Sequence, residues 1–160
     1  MAVKIETEPD PAEDKAAAFL LLRLFYGIFW LLQGFGKAYD QESGILAWRN
    51  LDIWSWNTTQ WFAKQTVLSA WLVLPYLFVL PYAELALGLS LLLGMHTRRA
   101  LLFSAALLIT LQAGLLLQLK HDTVALNMIH LLAVLWALHW SRHERWTIGE
   151  YLRGLPRSGK

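Results

Sequence analysis

Two charged side chains lie inside long apolar stretches of this sequence, where a charge is rare and marks a candidate site. Arg23 falls in the apolar segment 16–36, and Glu84 falls in the apolar segment 70–94. They lie about 10 Å and about 15 Å from the segment ends that we place on one side of a membrane, so they can reach each other. An ion pair between them would either lock two helices together, which is the simpler interpretation, or form a proton or substrate site. Arg23 alone could instead extend to the lipid headgroups.

A second set of polar residues is expected to meet in the other half of the membrane. Asn127 and His130 share one face of the last apolar segment, because they are three residues apart. The predicted cluster consists of Gln33, Lys37, Gln112, Asn127 and His130. A neutral histidine in this place could exchange a proton near physiological pH. The simpler alternative is that hydrogen bonds between helices satisfy each of these groups.

The composition excludes several other kinds of chemistry. The 160-residue chain has no cysteine, which rules out disulfides, thiol redox chemistry and Cys-ligated metal centres. Its net charge is only +2, and no basic run or motif indicates a nucleic-acid partner. The sequence contains no recognisable nucleophile–base pair or phosphate-binding loop. We therefore do not expect an autonomous enzyme.

The elements that must position the polar residues are four long apolar segments, at 16–36, 70–94, 99–119 and 123–140. Apolar residues make up 56% of the chain, above the roughly 45–50% of soluble domains. Each segment is close to the ~20 residues with which a helix crosses a bilayer, and a helix satisfies its own backbone in lipid. We predict an all-α protein of one domain, residues 1–160, built as a four-helix transmembrane bundle. A soluble bundle is disfavoured because the third segment has almost no polar face.

The links between the last three segments are very short, so neighbouring helices should be antiparallel and the bundle should run up-down-up-down. Basic residues are concentrated in the tails 1–15 and 141–160 and in the link at Arg98 and Arg99. By the positive-inside rule both tails should face the cytoplasm. We expect the lipid bilayer to be the main partner, in the cytoplasmic membrane of a bacterium or an archaeon.

The segment 37–69 should then lie outside, between the first and second helices. It contains four tryptophans, at Trp48, Trp54, Trp56 and Trp61. Tryptophan favours the headgroup region, because its ring is apolar and its N–H is polar. We predict an outer loop that rests on the membrane surface, with a short amphipathic helix around 58–69.

Glycines mark the surfaces through which the helices are expected to pack. In the first segment, Arg23, Gly27, Trp30, Gly34 and Lys37 follow one another at helical spacing along one face. Small residues let two membrane helices approach closely. The predicted packing positions are Gly27, Gly34 and Gly88. The face should look into the bundle or at a partner.

The same two segments carry a resemblance to a known family. The sequence RLFYGIFWLLQGFGK and the later ELALGLSLLLGMHTRRA resemble the motifs of the DoxX family of small four-helix membrane proteins. The first motif falls on Arg23, Gly27, Gly34, Gly36 and Lys37, and the second on Glu84, Gly88, Gly94, Thr97 and Arg98. The resemblance covers roughly residues 20–138. It implies an accessory or quinone-facing subunit of a membrane redox system.

Three functions are compatible with this sequence. A quinone-linked redox subunit should have an apolar pocket, open to lipid, that ends in a polar group such as His130 or Glu84. A structural or assembly subunit of a larger membrane complex, or a homo-oligomer, should instead present a flat glycine face without a cavity. A small transporter would normally show inverted repeats and broken helices, which this sequence does not suggest. We favour an accessory or quinone-facing subunit of a membrane redox system; the sequence does not identify a cofactor, and a quinone is the candidate.

Overall fold

The computed structural model describes residues 11–40, 44–144 and 147, and these residues are mainly α-helical. The helices are α1 (Pro11–Ala38), α2 (Arg49–Gln65), α3 (Ala70–Leu93), α4 (Thr97–Leu117) and α5 (His121–Trp140), and a 3-10 turn follows at Ser141–His143. The described residues contain no β-strand beyond one isolated bridge between Tyr39 and Leu46. Most of the predicted tails 1–15 and 141–160 lies outside the described residues, although α1 already begins within the first.

Four of the five helices, α1, α3, α4 and α5, are long and apolar enough to cross a membrane. Their outward faces carry large apolar side chains, for example Leu21, Phe103 and Ile129, each of which is more than 60% exposed. A soluble protein rarely exposes so extensive an apolar surface, whereas lipid accepts it. The described residues thus confirm a helical protein with four helices that are long and apolar enough to span a membrane.

The contact between α1 and α3 is made by glycines. A methyl group on Gly88 would lie 2.6 Å from Leu31 Cγ and 2.8 Å from the carbonyl oxygen of Gly27. A methyl group on Gly34 would lie 2.6 Å from Leu85 Cγ. Gly27 of α1 meets Gly88 of α3, whereas Gly34, later on α1, meets Leu85, earlier on α3. The two helices are therefore antiparallel.

The helix α2 differs from the amphipathic helix that the sequence predicts at 58–69. It begins nine residues earlier, at Arg49, and ends at Gln65. Its buried side, Leu51, Ser55 and Thr59, packs on α3, where Ser55 Oγ lies 3.0 Å from the carbonyl oxygen of Leu77. Two of these three residues are polar, so an apolar periodicity does not reveal the packed face.

The glycine contact makes a prediction about stability. Gly88→Ala should lower the free energy of unfolding in detergent by about 1–3 kcal/mol, because the added methyl group meets the backbone of α1, which cannot rotate away. Gly36→Ala is the matched control, since nothing lies within 4 Å of a methyl group there. It should be neutral or stabilising, because alanine is the better helix former.

Thermal unfolding followed by circular dichroism measures both variants in the same detergent. Equal effects of the two substitutions would contradict the close contact between α1 and α3.

Candidate functional site

A cavity of about 600 Å³ lies at the α2 end of the bundle, where all five helices contribute to its lining. Its walls are mostly apolar and include six aromatic side chains, Phe29, Trp30, Trp54, Trp61, Phe62 and Tyr76. Several lining residues, such as Gln33 and Leu72, are exposed, so the cavity is open to the surface. Its volume falls in the range of small-molecule sites, roughly 300–1,000 Å³.

The charged residues of the cavity wall form an ion pair between α1 and α3. Lys37 Nζ lies 2.5 Å from Glu84 Oε2, and the side chain of Glu84 is 2% exposed. The same ammonium group donates a hydrogen bond of 3.1 Å to the carbonyl oxygen of Gln33. It also lies 5.1 Å from the ring centroid of Trp54 on α2, which is a cation–π distance. One lysine thus connects three helices at the wall of the cavity.

This ion pair retains hydrogen-bonding capacity. A lysine ammonium has three N–H donors, and Lys37 uses two of them on Glu84 and Gln33. Within the described residues, no hydrogen bond is made to the second carboxylate oxygen of Glu84, Oε1. Both side chains line the cavity. The pair can therefore offer a donor and an acceptor to one ligand.

Two lysine–tryptophan contacts join α2 to other parts of the bundle beside the cavity. Trp54 lies under Lys37, and Trp61, seven residues later on α2, lies 4.7 Å from Lys120 Nζ in the turn between α4 and α5. Seven residues are about two helical turns, so both rings lie on one face of α2. Trp48 and Trp56, by contrast, are more than half exposed. Two of the four tryptophans that we expected to act as membrane anchors thus line the cavity.

The predicted polar cluster is divided between two places. Gln33, Lys37 and Asn127 line the cavity, whereas His130 lies among aromatic rings of α1, with its ring centroid 4.9 Å from that of Phe29. Gln112 is buried on α4, and its Nε2 has no hydrogen-bond partner in the described part of the chain. Three residues on a helix differ in direction by about 60°, so Asn127 and His130 can face different surroundings.

Arg23 and Glu84 do not form the pair that the sequence suggested. Arg23 Nη1 lies 3.3 Å from Glu144 Oε1, and Thr97 donates a hydrogen bond to the same oxygen. The antiparallel register places Arg23 level with Gly94, where an added methyl group would lie 2.7 Å from Arg23 Nη1. Glu84 is ten residues away along α3, or about 15 Å. The sequence-based depths assumed that α1 starts level with the end of α3, whereas α1 begins at Pro11, twelve residues before Arg23, and so extends beyond the end of α3.

Glu144 is the residue of this arrangement that the sequence analysis missed. It follows the 3-10 turn at Ser141–His143, which brings the chain back toward α1 and α4. Its only signal in the sequence was a carboxylate within a mainly basic tail. The carboxylate ties the start of α4 to α1 at the end of the bundle opposite the cavity.

Comparisons of this chain with protein-family models, with curated proteins and with solved structures gave no match. The cavity and its ion pair are therefore the features from which a function can be inferred.

The ion pair leads to a testable prediction. Lys37→Met should lower the free energy of unfolding by about 3–5 kcal/mol, because it leaves the carboxylate of Glu84 buried without a counter-charge. The double variant Lys37→Met/Glu84→Leu removes both charges and should recover most of the loss. Unfolding in detergent, followed by circular dichroism, measures the single and double variants as one thermodynamic cycle.

Lys120→Met is the control, because it also removes a lysine in contact with a tryptophan of α2. Without a buried carboxylate partner, its loss should cost at most about 1 kcal/mol. Additive effects of the Lys37 and Glu84 substitutions would show that the two charges are not coupled.

Proposed function

We propose that this protein is a DoxX-like integral membrane protein that binds a quinone headgroup in the cavity, as an accessory or quinone-facing subunit of a membrane redox system. The observation that carries the proposal is the apolar, aromatic cavity whose wall contains the buried ion pair of Lys37 and Glu84. A quinone-linked subunit was expected to have an apolar pocket, open to lipid, that ends in a polar group such as Glu84.

The cavity suits the chemistry of a quinone. A quinone ring is flat, carries no net charge and has two carbonyl oxygens that accept hydrogen bonds. Aromatic side chains such as Phe29, Trp54 and Trp61 offer faces or edges for ring contacts. The third N–H of Lys37 can donate to a quinone carbonyl, and Glu84 Oε1 can accept from a hydroxyl of the reduced form. A charged ligand would disturb the balance of the buried pair.

The proposed topology places the cavity near the outer surface. Both tails then face the cytoplasm by the positive-inside rule, and α2 lies on the opposite side as the tryptophan-rich outer segment. An up-down-up-down order is supported by the antiparallel contact of α1 with α3. It is also supported by the hydrogen bond of 2.8 Å between Tyr76 and Thr110, near the far ends of the α3–α4 hairpin.

The position of the glycines does not favour the alternative of an assembly subunit. Such a subunit was expected to present a flat glycine face to a partner protein. Gly27, Gly34 and Gly88 instead lie in the contact between α1 and α3, within a single chain. They leave no exposed glycine surface along that contact, so the cavity is the better candidate for function.

Quinone analysis of the purified protein tests the proposal. The protein is extracted from its native membrane in mild detergent, and quinones and co-purifying proteins are identified by mass spectrometry. We expect bound quinone in the wild type and about tenfold less in Lys37→Met, because a hydrogen bond from a charged donor contributes about 1.5–3 kcal/mol. Lys120→Met should retain quinone, since Lys120 does not line the cavity.

Added quinone gives an independent measurement, because quinones quench tryptophan fluorescence on contact. Quenching that saturates in the wild type and in Lys120→Met, but is weaker in Lys37→Met, would support the site. Recovery of the protein with lipid alone, and quenching that never saturates, would refute it. Those results would favour a transporter or a lipid-handling role.

A further inference from the structure

A second cavity, of about 470 Å³, lies between α3 and α4 on the outside of the bundle. We call it the α3–α4 groove. Small residues line it, Ala83 and Ala86 on α3 and Ala100 and Ala106 on α4. Phe103 and Leu107 add apolar surface along its length. A groove of this kind fits a flexible hydrocarbon chain better than a rigid, polar ligand.

The two ends of the groove differ in chemistry. At the α2 end, the hydrogen bond between Tyr76 and Thr110 closes it. At the other end it is lined by Ser90, His96 and Arg99. The fourteen residues from Tyr76 to Ser90 span about 21 Å. The groove is therefore long enough for the hydrocarbon of one leaflet, which is about half of the ~30 Å core.

The basic end lies where lipid phosphates are expected. His96 and Arg99 belong to the turn between α3 and α4 and to the first turn of α4, at the boundary of two membrane-spanning helices. Both are exposed, and neither forms an ion pair with any residue that the structure describes. A basic site between membrane helices attracts the headgroups of anionic lipids.

We propose that the α3–α4 groove binds an anionic phospholipid, with one acyl chain along the alanine-lined groove and the phosphate held by Arg99 and His96. The exposed basic side chains at one end and the apolar groove beyond them match the two parts of such a molecule. A zwitterionic lipid carries a phosphate too, but its net charge is zero, so the basic end attracts it less strongly. The proposal is independent of quinone binding, because it uses neither Lys37 nor Glu84.

Native mass spectrometry of the detergent-purified full chain tests this site. The protein is titrated with phosphatidylglycerol or phosphatidylcholine of identical acyl chains. We expect saturable binding of one phosphatidylglycerol, several-fold tighter than that of phosphatidylcholine. Arg99→Gln should weaken phosphatidylglycerol binding about fivefold, the effect of about one basic residue at a lipid surface.

Arg98→Gln is the matched control, because Arg98 is a neighbouring exposed arginine that does not line the groove. It should change the affinity less than twofold. Ala86→Leu tests the chain-binding part, since Ala86 is exposed and lines the groove. This substitution should weaken both lipids while the protein keeps its helical content.

Three outcomes would overturn the proposal. Equal effects of Arg98→Gln and Arg99→Gln would mean that the basic end attracts lipid without a defined site. Unchanged binding in Ala86→Leu would mean that no chain enters the groove. A co-purified quinone that is lost in Ala86→Leu, but kept in Arg99→Gln, would identify a quinone tail as the occupant.

Discussion

The close approach of α1 and α3 is the contact on which the other features depend. In lipid there is little hydrophobic force between helices, so helices associate where small residues let their backbones meet. Gly88 packs against the carbonyl oxygen of Gly27, and Gly34 against Leu85. These contacts fix the antiparallel register of the two helices. The register then decides which charged residue lies opposite which, because a shift of one helical turn moves a side chain by about 5.4 Å.

Both ion pairs follow from that register. Lys37 and Arg23 lie on one face of α1, fourteen residues or about 21 Å apart. Lys37 is level with Glu84 of α3, whereas Arg23 is level with the end of α3 at Gly94. No acidic residue of α3 lies at that level, and Arg23 receives its carboxylate from Glu144, beyond α5. Lys37 thus joins α1 to α3, whereas Arg23 joins α1 to the chain that follows α5.

The sequence predicted the number and approximate bounds of the long helices, because hydropathy and length report what lipid accepts. Apart from the glycine positions of α1 and α3, it carried no signal for which faces meet. In a membrane protein the lipid-facing side is as apolar as the packed side, so apolar periodicity does not orient a spanning helix. The direction of His130 into the aromatic rings of α1 was missed for this reason. The packed face of α2 was missed because two of its three buried residues are polar.

The two ion pairs differ in the desolvation energy that their environments cost, and this difference supports the proposed site at Glu84. The Glu144 side chain is 22% exposed at a helix end, where water and headgroups reduce the cost of desolvation. The Glu84 side chain is 2% exposed within a membrane-spanning helix. Well-packed apolar residues often stabilise a fold as well as a buried ion pair does. Stability alone is therefore a weak reason for a charge at Glu84, and its place in the wall of a cavity supplies a stronger one.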